Sequence, residues 1–464
     1  MNILAFDLGA SSGRALIGRF DGARLSIEEA HRFPNQMIRM RGHFYWDVQR
    51  LFAEMQTGLQ KAVNTARITA MGIDTWGVDG CFVGRGDTFL GFPYAYRDFS
   101  LKNMKACSKK LGAEFIYERT GIQFMPFNTL FQFFQHKRSR APQLKAADAF
   151  LFIPEFFRYL FTGERATEYT IASTSQMVNA RTRTWDEEII AKLRVPRGLF
   201  GDIIEPGTVC GAVEGTDIKA IAVAGHDTGS AVVSVPAVQS GDDWAWLSSG
   251  TWSIIGIETK TPITTPEAFA TNYSNEGGVF GTVRFLRNVA GLWLCQECAR
   301  IWKARGQEYS YAELDRMARE AAPGGPLINV NDPRFNAPDD MPAEIQAACR
   351  EGSQPVPHSP GEIQRCILES LARAYKATLD DLTTASGKRF SKLHMVGGGI
   401  QNRLLNQMTA DACGITVEAG PVEGTAIGNI VMQLVALGEL RDLQQAREVI
   451  RASFPTEVYE PEAV

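Results

Sequence analysis

Asp227 follows the apolar run AIAVAG at residues 220–225 and precedes Thr228-Gly229-Ser230-Ala231, so a carboxylate stands where a buried strand ends and a turn begins. In open α/β sheets, ligands bind beyond the carboxyl ends of the strands. A carboxylate there can orient a hydroxyl group and accept its proton, one of the tasks that phosphoryl transfer to an alcohol requires beside magnesium and amide donors for the phosphate charge. An Asp before Thr and Gly serves equally well as a helix N-cap or turn former, and local sequence leaves both roles open.

Three glycine-rich loops offer amide groups to an anion. The first, Asp7-Leu8-Gly9-Ala10-Ser11-Ser12-Gly13-Arg14, closes an apolar strand with a carboxylate and a turn rich in N–H and hydroxyl groups. Such a turn makes a nest for phosphate oxygens, with Asp7 beside it as a place for a hydrated magnesium ion; it reads equally as an ordinary hairpin turn. Ser248-Ser249-Gly250-Thr251 repeats the pattern after a second apolar strand, and Gly397-Gly398-Gly399 follows the strand LHMV. Without side chains, the last of these lets a nucleotide approach the backbone. Neither G-x-x-x-x-G-K-[ST] nor G-x-G-x-x-G is present.

Gly9-Ala10-Ser11-Ser12-Gly13 also fits G-x-S-x-G, the nucleophile elbow of acyl hydrolases, which needs a helix after the serine. RALIGRF alternates as a strand instead. His226 and Asp227, adjacent in sequence, are expected to point to different sides and to make a poor triad with Ser11. In IDTWGVDG, Trp76 can wall a sugar pocket and Gly77 can bring backbone against a substrate, or both can be packing residues.

The elements that must position these groups follow from periodicity. NILAFDLGA, RALIGRF and RLSIEEAHRF predict a three-stranded antiparallel meander. Asp47 caps a helix VQRLFAEMQTGLQKAV, and a buried strand ITAMGIDTWGV follows. Helical patterns fill 101–163, and WAWLSSGTWSIIGIE then restates the opening strand, turn and strand. Later come a long helix RCILESLARAYKATLDDLTTA, the strand LHMVGGG, and IQNRLLNQMTADACG as a helix closing at Gly414. The fold class is α/β with an internal repeat in two lobes: 1–235, carrying sugar binding and the first phosphate loop, and 240–450, carrying ATP binding.

Composition bounds the function. At 464 residues the chain exceeds one ordinary core, and its 45% apolar and 22% charged residues are those of a folded domain. A net charge of −4 with scattered Lys and Arg argues against a nucleic-acid footprint. No apolar run approaches the ~20 residues of a membrane span, and the opening MNILAFDLGA has no basic leader region. The expectation is a cytoplasmic protein, a monomer or small homo-oligomer, without nucleic-acid or membrane partners, its eight cysteines reduced. Cys295-x-x-Cys298 lies in the helical pattern GLWLCQECARIW and reads as core, Cys349 and Cys366 can meet across a loop, and the six histidines form no zinc motif.

The ordered set FDLGASSGR, DTWGVD, PFNTLFQ, AGHDTGSA, LSSGTWS, RNVAGLW and VGGGIQN resembles the FGGY carbohydrate kinases from about Ile3 to beyond Gly428. The resemblance implies two ribonuclease-H-like lobes of the actin and hexokinase type, an interlobe active-site cleft, and ATP with Mg2+ acting on a small ketose. It carries over Asp227 as catalytic base; Ala10, Ser11, Ser12, Gly13, Arg14, Thr251, Asn288, Gln296 and Gly398 as the ATP site; Gly77, His226, Asp227 and Thr228 as the sugar site; and Asp7 near the metal. Asn288 and Gln296, eight residues apart, otherwise read as one polar stripe of a helix. Thr129 and Gln132 stand where glycerol and xylulose kinases carry a Lys and a Trp, a departure that fits one ketose-kinase branch. A switch-like ATPase on the same nucleotide fold is the rival of another class.

Overall fold

The computed structural model describes residues 1–238, 243–336 and 338–462. They form two compact units: residues 1–238, 258–285 and 424–454 make the first, and 243–257, 286–336, 338–423 and 455–462 the second. This grouping cuts across the linear division 1–235 and 240–450; residue 240, where the second lobe was expected to begin, lies outside the described residues.

The reason that 424–454 joins the first unit is visible in its packing. The helix Gly424–Ala436 is buried along most of its length. Asn429 Nδ2 donates to Asp74 Oδ2 at 2.7 Å, and Gln433 Nε2 donates to the carbonyl of Leu4 at 2.9 Å.

In the first unit a six-stranded sheet runs Thr208–Ala212, Lys219–Ala222, Ala70–Thr75, Asn2–Leu8, Ser12–Phe20, Leu25–Pro34. The last three strands form the expected antiparallel meander, and Asn2–Leu8 runs parallel to Ala70–Thr75, which runs parallel to Lys219–Ala222. Strands buried on both faces read as continuous apolar runs. Along Asn2–Leu8 the residues divide by parity: Leu4, Phe6 and Leu8 enter the core containing Leu51 and Met55 of the helix Val48–Thr65, while Ile3 and Ala5 meet Ile427 and Ile430 on the other face. Asp7 shares the parity of Ile3 and Ala5, and its register partner is Asp74. Asp47 caps Val48–Thr65 as its sequence predicts, accepting from Arg50 N at 3.1 Å.

The second unit restates the pattern. Trp244–Ser249 and Trp252–Thr259 form an antiparallel hairpin, Lys392–Val396 pairs parallel with the first of them, Thr416–Ala419 pairs parallel with that strand, and Glu457–Tyr459 closes the edge antiparallel. The same five-strand sequence of pairings, antiparallel, parallel, parallel, antiparallel, is present in the first sheet. The long helix spans Pro360–Ser386, opened by a Ser359/Glu362 capping box and ended by Gly387 at φ 70°. Arg403–Cys413 ends at Gly414 with φ 68°, as expected, but begins only after a short 3₁₀ turn, with Asn402 as its cap.

Candidate active site

Asp7 and Asp74 lie side by side near the carboxyl ends of parallel strands, 6% and 0% exposed. Arg14 Nη2 sits 2.5 Å from Asp7 Oδ2. Asp74 receives Asn429 on Oδ2 and keeps Oδ1 buried without a partner. Burial, then the neighbouring Asp7 carboxylate, pushes the Asp74 carboxyl well above its usual range. The turn between the first two strands is tight: Gly9 N donates to the carbonyl of Ser12 at 2.8 Å, and the strand resumes at Ser12. Asn35, 2% exposed, clamps it by donating Nδ2 to the Gly9 carbonyl at 2.8 Å and its own N–H to that of Ser11 at 3.0 Å. Ala10, Ser11, Ser12 and Arg14 keep solvent-facing surface on this turn, while Gly13 is buried against the Phe33 ring. A strand, not a helix, follows Ser11, which removes the nucleophile-elbow reading.

The chain leaves Lys219–Ala222 and runs on beside the neighbouring strand, with Thr75 N donating to Gly225 O at 2.9 Å. Buried Glu168 holds this passage: its Oε2 accepts from Gly225 N at 2.9 Å and from Thr170 Oγ1 at 2.6 Å. His226 then caps the helix Asp227–Val233, whose first residue is the candidate base. Asp227 Oδ1 accepts from both the N–H and the hydroxyl of Thr228, and His226 Nε2 lies 3.3 Å from that same oxygen. Among the described residues nothing bonds Asp227 Oδ2, and 31% of the side chain is exposed. Burial raises the Asp227 carboxyl above its ordinary value, opposed by His226 and by the Thr228 hydrogen bonds. The expectation that His226 and Asp227 point apart is therefore wrong: His226 holds the N-cap position without a side-chain cap hydrogen bond, and its ring lies against the Asp227 carboxylate instead.

Around His226 the chain assembles residues that its sequence does not advertise. Glu276 Oε2 lies 3.1 Å and Arg284 Nη2 3.2 Å from His226 Nδ1. A Cβ on Gly77 would stand 3.3 Å from His226 Nε2, so Gly77 admits the imidazole edge. Val78, next in the chain, has φ 68°, a strained value for a β-branched residue. It is pinned by Thr129 Oγ1, donating to its carbonyl at 2.6 Å, and by Thr174 Oγ1, accepting from its N–H at 3.0 Å. Asp79 completes the anchor by accepting from the indoles of Trp46 and Trp76, the N–H of Tyr96 and Gln132 Nε2, at 2.7–3.1 Å. Trp76 is 5% exposed and its ring lies 4.1 Å from that of Trp46, the packing reading of that residue.

In the second unit, the turn between Trp244–Ser249 and Trp252–Thr259 carries Thr251. The amides of Leu292 and Trp293 donate to the carbonyls of Gly250 and Thr251, at 2.9 and 3.1 Å, and Gly291 lies so close that a Cβ would meet Trp252 C at 2.6 Å. Thr251 Oγ1 donates to Gln296 Oε1 at 3.2 Å. Asn288 belongs to the strand Val283–Ala290 and Gln296 to the helix Trp293–Ala304, so the single polar stripe is corrected to two elements broken at Gly291. Gly399 touches the same hairpin: its Cβ would fall 2.1 Å from Ser249 Oγ. Gly398, by contrast, is exposed and faces open space. Thus Thr251 and Gln296 are in direct contact, and the glycine run packs against the strand that leads into their turn.

The cysteines act as packing residues. Cys295, Cys298, Cys349 and Cys366 are buried free thiols, and Cys349 and Cys366 lie within hydrogen-bond reach of each other. Among the described residues no three His, Cys, Asp or Glu side chains form a ready metal cage, and no helix is long and apolar enough to cross a membrane.

Residues 2–238 match the FGGY family of carbohydrate kinases, N-terminal domain, and residues 245–437 match the C-terminal domain of the same family. A rhamnulokinase of Enterococcus faecalis is 44% identical over 470 residues, covering 98% of this chain and 94% of that protein. One of Bacteroides thetaiotaomicron is 43% identical, with 99% and 96% covered. Among solved structures, a ligand-bound xylulose kinase of Lactobacillus acidophilus superposes with a TM-score of 0.81 at 17% identity, over 99% of this chain and 94% of that one. Plasmodium falciparum glycerol kinase with ADP gives 0.77 at 14%, with the same coverage. At such identities the structural likeness concerns the fold, a mixed α/β arrangement of two domains.

Proposed function

Because the chain belongs to the FGGY family of carbohydrate kinases, we propose that it transfers the γ-phosphoryl group of ATP to L-rhamnulose, giving L-rhamnulose 1-phosphate in rhamnose breakdown in the cytoplasm. The choice of sugar rests on likeness to two rhamnulokinases along nearly the whole chain. The observation that carries the chemistry is Asp227: one carboxylate oxygen takes both Thr228 hydrogen bonds and faces His226, while nothing among the described residues bonds the other and the side chain is 31% exposed. In this reading Oδ2 accepts the sugar hydroxyl proton as the phosphoryl group transfers. Gly77, His226 and Thr228 bind the sugar beside it. Ala10 to Arg14, Thr251, Asn288, Gln296 and Gly398 hold ATP.

Asp7 suits a magnesium ion that keeps its waters. One oxygen already faces Arg14, and Asp74 beside it retains an unpartnered buried oxygen, a donor set for a hydrated cation rather than a closed cage. When bound, the ion would neutralise phosphate charge.

A coupled ADP-release assay across L-rhamnulose, L-fuculose, xylulose and glycerol tests the reading. Release should be fastest with L-rhamnulose. A higher kcat/KM with another sugar would reassign the substrate, and release indifferent to every sugar would point to the ATPase switch.

A further inference from the structure

The Nδ1 side of the His226 ring is gripped by two groups outside the family-derived site. Glu276, on the strand Ser274–Gly277, is 7% exposed; Arg284 is 1% exposed. Arg284 Nε donates to the carbonyl of Gly277 at 2.8 Å, and its Nη2 lies 3.2 Å from Glu276 Oε2 and 3.2 Å from His226 Nδ1. The ring nitrogen Nδ1 thus meets a buried anion and a buried cation at once, while Nε2 faces Asp227 Oδ1. Although burial works to raise the Glu276 carboxyl, His226 and Arg284 outweigh it and hold the group below its ordinary range, so Glu276 is a carboxylate. A buried charge pair contributes little to stability, and removing one partner is costly. Its placement against an imidazole therefore calls for a role beyond packing.

The ring has three protonation forms. If Nδ1 accepts from Arg284, the neutral ring carries its proton on Nε2; if Nδ1 donates to Glu276 as an imidazolium, Nε2 is again protonated. Only the neutral form bearing its proton on Nδ1 alone leaves Nε2 bare, lone pair to lone pair against the Asp227 carboxylate. We propose that Glu276 and Arg284 are positioning residues that lock the His226 ring with a proton on Nε2. Nε2–H then joins Thr228 on Asp227 Oδ1 and reserves Oδ2 as the atom that takes the sugar proton. This inference rests on Asp227 being the base. An orienting carboxylate at the histidine of a hydrolytic triad fixes the opposite form, Nδ1–H with Nε2 bare; here the Arg284 donor beside Nδ1 and the Asp227 carboxylate facing Nε2 reverse that preference.

Histidine-selective 15N labelling of the full chain reads the ring directly, without a variant that must fold: His226 should show a protonated Nε2, and a bare Nε2 overturns the inference. Kinetics supply a second reading. Glu276→Gln keeps the side-chain shape but frees Arg284 from its counter-charge, and kcat should fall about 10–100-fold with KM for ATP unchanged. An equal rise in KM for ATP would indicate general disorder and overturn the positioning role. Asp227→Asn separates the two readings: retained turnover there removes the base on which the inference depends. An inactive Asp227→Asn beside a Glu276→Gln enzyme with parental kcat removes the inference alone.

Discussion

Gly428→Ala tests whether the candidate base is held by a helix–helix contact without slack. A Cβ at 428 would stand 1.8 Å from the carbonyl oxygen of Ser230 and 2.6 Å from its carbonyl carbon. Contacts under 3.0 Å do not persist, so the two backbones must part by about 1.2 Å. If the helix Asp227–Val233 yields, Asp227 moves with it, three residues before Ser230. If Gly424–Ala436 yields, the Asn429–Asp74 and Gln433–Leu4 hydrogen bonds at 2.7 and 2.9 Å stretch instead. Overpacking of this kind costs about 1–3 kcal/mol, and a displacement of roughly 1 Å at a reacting group costs on the order of 10²-fold in rate. Urea denaturation followed by fluorescence should show the stability loss, and sugar-dependent ADP release should show kcat reduced about 10–100-fold. Parental kcat and an unchanged denaturation midpoint together would mean that the helices accommodate a methyl group freely, and the positional argument for Asp227 would be wrong.

Asp227→Asn should leave ATP binding intact and lower kcat by about 10²–10⁴-fold, the range for lost general-base catalysis; single-turnover kinetics with L-rhamnulose would decide. Thr251→Ala, which removes the hydroxyl bonded to Gln296, should weaken ATP binding about 5–10-fold, as expected for one hydrogen bond near 1 kcal/mol, and nucleotide titration calorimetry would detect it. Asp79→Ala strands four donors, each costing ~1–3 kcal/mol if unsatisfied, and with water refilling part of the space should lose about 3–5 kcal/mol in chemical denaturation. Burial pushes the Asp79 carboxyl up to about 7, so its contribution is complete at low pH and is lost as pH rises toward 7. Stability of Asp79→Asn should accordingly vary less than that of the parent between about pH 4 and 7, and parallel pH curves would refute the assignment.

Much of this was legible because it is local. An apolar strand that stops at Asp7 or before His226-Asp227, a glycine turn that follows, and Asp47 ahead of a periodic helix all lie within a few residues of the groups they position, and the paired hairpins emerge where the text of the chain repeats. What escaped is what folding brings together from afar. Glu276 and Arg284 stand 50 and 58 positions from His226; in NYSNEGG and TVRFLRN they look like solvated charges. Asn35, Glu168 and Asp79 act through backbone groups of other segments, which no side-chain motif announces. Asn288 and Gln296 read as one helix in the sequence because the break at Gly291 is set by close approach to the Gly250–Trp252 turn, a contact invisible at the level of periodicity. The grouping of 424–454 with the first unit has the same origin: Gly428 is small because Ser230 is there.

The alternation of faces along Asn2–Leu8 makes this segment intolerant of any change in its length. Deleting or inserting one residue between Ile3 and Phe6 would exchange the two sets of side chains, sending Asp7 into the apolar layer of Leu51 and Met55 and bringing Leu8 or Phe6 beside Asp74. Substitutions there can be gradual, but an indel is all or nothing. Natural variation in the length of the amino-terminal region must therefore be absorbed outside this strand.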